Sequence, residues 1–254
     1  ITPLRHLDER LSASPVILYQ PQNAYRVRWN MNTDTPLPQE EPAGQNPPDG
    51  AVINYFLFEA STDIKLEIYD TKIQGVISDN DFYKIPANNV PPYWVRPQQI
   101  LSGTEGSHRF MWDMRYQPLN VPPAFPIAAT YMNTAPDATS PWVMPGVYIA
   151  KLTVDGKEFF QAFRVKMDPR VKTATKDLQL QHDISVMCYN NIQKCIAAKN
   201  NGAKDLDKLQ SAFAAVHNAL QDSDMSPTMQ MITAAKETEK QFIEAWKKWM
   251  ALKK

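Results

Sequence analysis

The sequence predicts an antiparallel β-sandwich followed by a small antiparallel helical bundle. Up to Met167, short segments that alternate apolar and polar residues recur between proline-rich loops, which is typical of antiparallel sheets. From Thr175 onward, apolar residues recur every three or four positions, as they do on one face of an α-helix. Between two alternating segments, Asp155 and Gly156 supply the two positive-φ positions that a type I′ hairpin turn needs.

The strands are predicted in order along the chain. Ala51–Phe58 is apolar on both faces, which predicts a central strand in its sheet. Ile64–Tyr69 alternates as a half-exposed strand should, and Tyr148–Val154 sets its apolar side chains on one face of the hairpin. The remaining predicted strands are Val16–Tyr19, Tyr25–Trp29, His108–Asp113 and the return strand Phe159–Val165.

Three helices are predicted after the last strand. The first should end at residues 200–202, since asparagine and glycine adopt the left-handed conformation that ends a helix. The third should begin with Ser226 as its N-cap and Pro227 at its first position. The residues predicted to be buried are Leu180, Ile184, Met187, Cys188, Ile192 and Cys195 in the first helix, Leu206, Leu209, Phe213, Val216 and Leu220 in the second, and Ile232, Ala235, Phe242, Trp246 and Trp249 in the third.

Composition excludes several classes of partner. The chain has 27 Lys and Arg against 27 Asp and Glu, so no net charge attracts nucleic acid or an anionic membrane. No window holds the roughly 18 uninterrupted apolar residues of a membrane span. Cys188 and Cys195 would lie about 10 Å apart along one helix, too far for a disulfide between them. We therefore predict no nucleic acid partner, no membrane span and two buried free thiols.

Five motifs occur in an order that resembles a known family. They are similar to the C-terminal region of large secreted bacterial proteins that carry a sortilin-like, BNR-repeat β-propeller and are often labelled glycosyl hydrolases. The motifs are Asn46–Ile53, Lys65–Asp70, Gly106–Tyr116, Pro145–Lys157 and Val165–Val171.

The resemblance implies an architecture and a partner. In that family the propeller is followed by an immunoglobulin-like sandwich and then a helical tail. It implies an entry segment from an upstream domain at residues 1–13, an immunoglobulin-like antiparallel sandwich at 14–167 and a three-helix segment at 168–254. The implied partner is the upstream β-propeller of the same polypeptide, and the implied location is secreted, periplasmic or at the cell surface. Leu4, Leu11 and Ile17 are then expected to be partly exposed, because they would face the missing neighbour.

No cluster of residues predicts catalysis. Glycosidase chemistry needs two carboxyl groups about 5 to 10 Å apart. Glu40 and Glu41 lie in a proline-rich loop, and Asp79 with Asp81 lies in a segment interpreted as a solvated turn rather than a calcium loop. The histidines, which show no metal-ligand spacing, are His6, His108, His182 and His217. We predict no catalytic residue, no metal, no cofactor and no enzymatic activity of this chain.

Loop aromatics are the candidate ligand-binding residues. Tyr93, Trp94, Tyr131 and Trp142 lie in two long proline-rich loops, and loops on a rigid sandwich often carry binding residues. Exposed rings would stack against sugar faces or cover a partner domain. The alternative is that these rings fold inward and close the ends of the sandwich.

The predicted function is that of a noncatalytic accessory module that docks on or spaces the propeller. A carbohydrate-binding module that uses the loop aromatics is the alternative, with glycans as its ligands. A glycoside hydrolase domain is the least favoured hypothesis.

Overall fold

The computed structural model describes residues 14–28, 40, 42, 50–72, 75–79, 100–119, 140–199 and 206–252. Among these residues the chain forms eight strands and three helices. The strands are β1 (Val16–Leu18), β2 (Ala24–Arg26), β3 (Ala51–Leu57), β4 (Ile64–Asp70), β5 (Gly75–Asp79), β6 (Gly106–Trp112), β7 (Gly146–Val154) and β8 (Lys157–Met167). The helices are α1 (Thr175–Lys199), α2 (Asp207–Gln221) and α3 (Met229–Leu252).

The chain separates into two compact units. The β unit comprises Ile1–Ala138 and Pro145–Asp168 and contains all eight described strands. The helical unit comprises Thr139–Met144 and Pro169–Lys254. The short segment Thr139–Met144 therefore belongs with the helices, although it falls inside the range predicted for the sandwich.

Two sheets make up the β unit. The smaller sheet has the order β1-β3-β6, and the larger has the order β2-β8-β7-β4-β5. The hairpin of β7 and β8 is confirmed, because Val154 pairs with Lys157 and the two residues between them have positive φ angles, 48° at Asp155 and 75° at Gly156. β3 is the central strand of the smaller sheet, as its apolar faces predicted.

The sheets pack face to face in a sandwich-like arrangement around Trp112. This side chain on β6 is fully buried, and its ring lies 5.6 Å from that of Tyr148 on β7 and 5.9 Å from that of Phe163 on β8. Because β6 belongs to the smaller sheet and β7 and β8 to the larger, these contacts join the two sheets. The core also includes Ala51, Ile53, Tyr55, Leu57, Leu66, Ile68, Phe110, Ala150, Leu152, Val154 and Val165.

The backbone near Trp112 is also constrained by close contacts. The indole N–H donates a hydrogen bond to the carbonyl oxygen of Arg115 at 3.0 Å. Gly50 has a φ of 104°, and a Cβ there would overlap the carbonyl oxygen of Trp112, so the start of β3 requires glycine. Met114 is fully buried with a φ of 60°, which is uncommon for a residue with a side chain.

The larger sheet differs from the prediction in two respects. β2 runs parallel to β8, with Ala24 opposite Val165, so this sheet is mixed and the expectation of purely antiparallel pairing is wrong. Alternation shows which face of a strand is buried, but it does not give the direction of a partner distant in sequence. β5 is an additional strand that starts at Gly75 and pairs with β4 across an irregularity between Ile68 and Tyr69.

The first strand packs within the β unit. Ile17 on β1 is only 3% exposed and lies opposite Phe56 on β3, so the expected partial exposure of Ile17 is wrong. A hydrogen bond from the backbone N–H of Tyr19 to the carbonyl oxygen of Asn54 (3.0 Å) extends this pairing. Leu4 and Leu11 lie outside the described residues.

The three helices form where the 3.6-residue period predicted them, but the buried face of α1 is confirmed only in part. Cys188, Ile192 and Cys195 are buried as predicted, whereas Leu180 is exposed and Ile184 and Met187 are half-buried. The buried face also carries Leu178 and the polar side chains of Gln181 and Ser185. α2 buries Phe213, whose ring lies 5.7 Å from that of Phe242 on α3.

The third helix begins two residues later than predicted. Thr228, and not Ser226, accepts the capping bonds: its hydroxyl oxygen accepts from the N–H of Met231 at 3.3 Å and its carbonyl oxygen accepts from that of Ile232 at 3.0 Å. Pro227 therefore precedes the cap instead of occupying the first turn. None of the helices in the described ranges has an apolar stretch long enough to cross a membrane.

The first test concerns Trp112. We expect Trp112→Ala to lower the free energy of unfolding by about 3–5 kcal/mol, because it leaves a cavity where the two sheets meet. The control is Phe58→Ala, whose ring is exposed and whose loss should cost less than about 1 kcal/mol. Urea unfolding followed by far-UV circular dichroism measures both. Equal effects of the two variants would contradict the central role of Trp112.

Candidate binding site on the outer sheet face

Of the four aromatic residues predicted to bind ligand, only Trp142 lies in the described part of the chain; Tyr93, Trp94 and Tyr131 lie outside it. Trp142 is half-buried and belongs to the helical unit. Its backbone N–H donates to the side-chain oxygen of Gln221 on α2 at 3.1 Å. The backbone at Trp142 is therefore tied to α2, and ligand binding by its ring stays a prediction.

A buried hydrogen-bond network explains why Gln221 is fixed. Its amide nitrogen donates to the hydroxyl of Ser185 on α1 at 2.9 Å, and that hydroxyl donates to the carbonyl oxygen of Gln181 at 2.8 Å. The amide nitrogen of Gln181 donates in turn to the carbonyl oxygens of Leu220 and Ser223, at 2.6 and 2.5 Å. These carbonyl groups lie at the C-terminal end of α2, where a helix leaves its last acceptors without helical partners. Gln181 thus caps α2, which is why a polar residue occupies the buried face of α1.

The remaining sequence candidates do not come together. The His108 ring nitrogen lies 2.7 Å from the carbonyl oxygen of Thr104 in the β unit, whereas His182 and His217 lie on separate helices. Glu40 is exposed, whereas Glu41, Asp81 and His6 lie outside the described residues. Within the described ranges, no three histidine, cysteine or carboxylate side chains are grouped as metal ligands.

The two cysteines are free and buried, as their helical spacing predicted. Burial raises the pKa of the Cys188 thiol to about 12, with a smaller contribution from the charge of Glu239. Burial likewise raises the pKa of Cys195 to about 11, and Asp207 adds to this shift. Because the thiolate is the reactive form of cysteine, neither side chain is a nucleophile near neutral pH.

A group of charged and phenolic side chains lies inside the β unit. Arg26 on β2 and Asp70 on β4 are both buried, and one oxygen of Asp70 accepts the backbone N–H of Lys72 at 2.7 Å. Burial raises the pKa of Tyr148, the charges of Asp70 and Tyr116 raise it further, and that of Arg26 lowers it. A perturbed group such as Tyr148 can mark a functional site, but Tyr148, Arg26 and Asp70 are buried and Tyr116 is half-buried. The arrangement fits a polar part of the core.

The outer sheet face is the side of the larger sheet opposite the core. Strict alternation in β4, β7 and β8 sends every second side chain there, while the residues between them fill the core. Its members are Tyr25, Lys65, Glu67, Tyr69, Val76, Val147, Ile149, Lys151, Thr153, Glu158, Phe160, Ala162, Arg164 and Lys166.

Lys151 organises the centre of this face. Glu67, Lys151 and Phe160 lie directly opposite one another on three adjacent strands. The ammonium nitrogen of Lys151 lies 3.4 Å from an oxygen of Glu67 and 2.6 Å from an oxygen of Glu158. It also lies 5.9 Å from the ring centre of Tyr69 and 6.0 Å from that of Phe160. We call these five residues the Lys151 cluster.

The charges of the Lys151 cluster stabilise one another. Burial tends to raise the pKa of Glu67, but hydrogen bonds and charges from Lys65 and Lys151 outweigh it, so the pKa of Glu67 is lowered. The hydrogen bond that Lys151 donates to Glu158 raises the pKa of Lys151, burial opposes this, and Glu67 and Tyr69 add to the rise. Glu67 and Lys151 therefore remain ionised around neutral pH, and the two aromatic rings flank a fixed positive charge.

The comparisons with known proteins add no assignment: no family model matches the chain, and no curated protein matches it. The geometry of the Lys151 cluster is therefore the main guide to a site. Its residues were visible in the sequence only as the polar half of an alternating pattern. A signal was present, because Tyr69 and Phe160 are aromatic at positions that alternation assigns to the solvent side.

The second test addresses the polar network of the helical unit. Gln181→Ala leaves the carbonyl groups of Leu220 and Ser223 without this donor, and we expect it to destabilise the helical unit by about 1–3 kcal/mol. Lys194→Ala on the exposed side of α1 serves as the control, with a change within about 0.5 kcal/mol. Thermal unfolding followed by far-UV circular dichroism compares them. A Gln181→Ala variant as stable as the control would show that the network contributes nothing.

The third test uses the titration of Glu67. Its pKa in the folded chain lies below the ordinary value of 4.5, so its ion pairs stabilise the fold at neutral pH and are lost as the pH falls through the folded-state pKa. We expect Glu67→Gln to lower the melting temperature at pH 7 and the deficit to shrink steadily below about pH 4.5. Glu59→Gln, at an exposed position, should show no such dependence. A deficit that is constant with pH would contradict the assigned ion pairs.

Proposed function

We propose that this chain is a noncatalytic accessory module of a larger secreted bacterial protein, in which it docks on or spaces an upstream β-propeller of the same polypeptide. In this proposal the sandwich is immunoglobulin-like and the three helices form a small antiparallel bundle. The five ordered motifs support the propeller partner and a secreted, periplasmic or cell-surface location, because they resemble a family with that organisation.

The observation that carries the noncatalytic role is the position of Lys151 between two carboxylates. Glu67 and Glu158 contact the same ammonium nitrogen at 3.4 and 2.6 Å, so their contacting oxygens lie within about 6 Å of each other. That separation is close to the one in glycosidases, where the two carboxyl groups flank the bond to be cleaved. Here the ammonium group of Lys151 fills the space that the glycosidic bond would need.

The protonation states also oppose glycosidase chemistry. One of the two catalytic carboxyl groups must hold a proton near neutral pH, which requires a raised pKa. Lys65 and Lys151 lower the pKa of Glu67 instead. Glu158 is half-exposed and ion-paired with Lys151. Glu67 is therefore not suited to be the general acid, and both carboxylates position Lys151.

Burial of β1 favours a role in which the module spaces other domains over one in which its first strand docks on the propeller. Ile17 packs within the β unit, so this strand needs no neighbouring domain to cover it. The connections at one end of the sandwich are also tied together: the N–H of Ser61 donates to the carbonyl oxygen of Gly103 at 2.8 Å, and the Ser61 hydroxyl donates to Asp155 at 2.7 Å. A module with fixed loops suits the separation of two other domains.

The fourth test measures hydrolysis. The purified chain, shown to be folded by circular dichroism, is incubated with a panel of aryl glycosides, and we expect no release of the aryl group above the rate without protein. Glu67→Gln and Glu158→Gln variants are assayed in parallel. Turnover by the wild-type chain that disappears when either carboxylate is neutralised would establish a glycosidase and refute the proposed function.

A further inference from the structure

We propose that the Lys151 cluster is a binding platform for a neutral polysaccharide, with sugar rings stacking on Phe160 and Tyr69. This inference rests on the proposed noncatalytic function, since it names a ligand that the module would hold without cleaving. It also places glycan binding on the flat face of the larger sheet instead of in the loops.

The two aromatic rings lie on one face and within reach of one chain of sugars. Phe160 is 55% exposed, although it is a large apolar side chain within β8. Tyr69 is half-buried two strands away. Because each ring centre lies about 6 Å from the same nitrogen of Lys151, the two centres lie within about 12 Å of each other. Two rings on one face at this spacing can contact successive units of one oligosaccharide.

The polar groups between the rings match the hydroxyl groups of a sugar. A pyranose presents apolar C–H groups on its face and hydroxyl groups around its edge, so it is recognised by an aromatic ring beside hydrogen-bonding side chains. Glu67 and Glu158 offer acceptors, and Lys65 and Lys151 offer donors, all beside the rings. Lys65 lies beside the Lys151 cluster and pairs with Glu67 at 2.9 Å, so two carboxylates face two ammonium groups at this place. Their charges cancel, and the site therefore does not select a uronate, a sulfated sugar or an amino sugar.

The order of charge and apolar surface argues against a protein partner at the same place. Protein interfaces place apolar residues at the centre and charged residues at the rim. Here the order is reversed, because Lys151 and Glu67 lie at the centre with side chains only 16% and 13% exposed, whereas Phe160 is more open. A protein surface that excluded water here would remove the remaining hydration of this ion pair, which costs desolvation free energy. Sugar hydroxyl groups replace that water with hydrogen bonds.

The platform is rigid before any ligand arrives. β4 and β7 each have a hydrogen-bonded strand on both sides, β8 pairs with β7 from Lys157 to Val165, and the Lys151 side chain is held by two carboxylates. Fixing these side chains beforehand reduces the entropy lost on binding. This matters for a shallow surface, where each sugar unit contributes little.

The fifth test combines affinity electrophoresis in soluble neutral β-glucan, xylan, mannan and galactan with a pull-down on insoluble cellulose. We expect retardation or retention by at least one neutral polysaccharide, and we expect Phe160→Ala and Tyr69→Ala to weaken it at least tenfold. The matched control is Tyr25→Ala. The ring of Tyr25 is exposed on the same face, and the ammonium nitrogen of Lys166 lies 5.7 Å from its centre. Tyr25 lies opposite Lys166 on β8, about 20 Å along the strand from Phe160.

The outcomes separate this inference from the proposed function. Binding that is lost in Phe160→Ala, kept in Tyr25→Ala and little changed by salt supports the platform, provided both variants keep the wild-type melting temperature. The inference is overturned if none of the polysaccharides retains the chain. It is also overturned if only polygalacturonate or chitosan retains it, or if Phe160→Ala binds as well as the wild-type chain. The chain is also tested for co-migration with a separately produced propeller. If the wild-type chain binds no glycan but co-migrates with the propeller, and Phe160→Ala does not, the face binds a protein partner. None of these results depends on hydrolysis, which the fourth test measures separately.

Discussion

The packing of Trp112 between the two sheets is the constraint on which the β unit depends. Its ring contacts Tyr148 and Phe163 across the core, and its backbone carbonyl lies so close to Gly50 that no side chain fits there. A buried aromatic side chain contributes mainly through the apolar area removed from water and the absence of voids around it. Once this side chain is enclosed, β7 and β8 have one face fixed in the core. Their opposite face must then point to solvent, which is how a central core residue determines the composition of the outer sheet face.

The helical unit is held by a different kind of interaction. Phe213 and Phe242 provide an apolar contact between α2 and α3, but the buried face of α1 also carries Gln181 and Ser185. Buried polar groups are costly unless they are hydrogen-bonded, and here they satisfy carbonyl groups at the end of α2 and fix Gln221. Apolar packing tolerates small rotations of a helix, whereas directional hydrogen bonds do not. The polar network therefore defines the rotation of α1 against α2.

One ammonium group links the two functional proposals. In the proposed noncatalytic role, Lys151 pairs with Glu67 and Glu158 and occupies the space between their carboxylates. The same group lies about 6 Å from two aromatic ring centres and holds polar atoms beside them in a fixed pattern. A residue that opposes bond cleavage thus favours recognition of the uncleaved ligand. The ion pairs stay partly solvated, so hydroxyl groups can join them without the penalty of complete desolvation.

Local patterns in the sequence determined the hairpin turn at Asp155 and Gly156, the buried faces of the long strands and the presence of three helices, because periodicity and turn chemistry depend on neighbours in the chain. They also placed Trp112 in a strand and Cys188 and Cys195 on the buried side of a helix. Tertiary structure alone decided the parallel pairing of β2 with β8, the rotation of α1 toward Gln181 and the placement of Glu67 beside the Lys151–Phe160 pair of the hairpin. Each of these depends on which distant segment lies alongside and in which register, and alternation is identical for every register that keeps the same face buried.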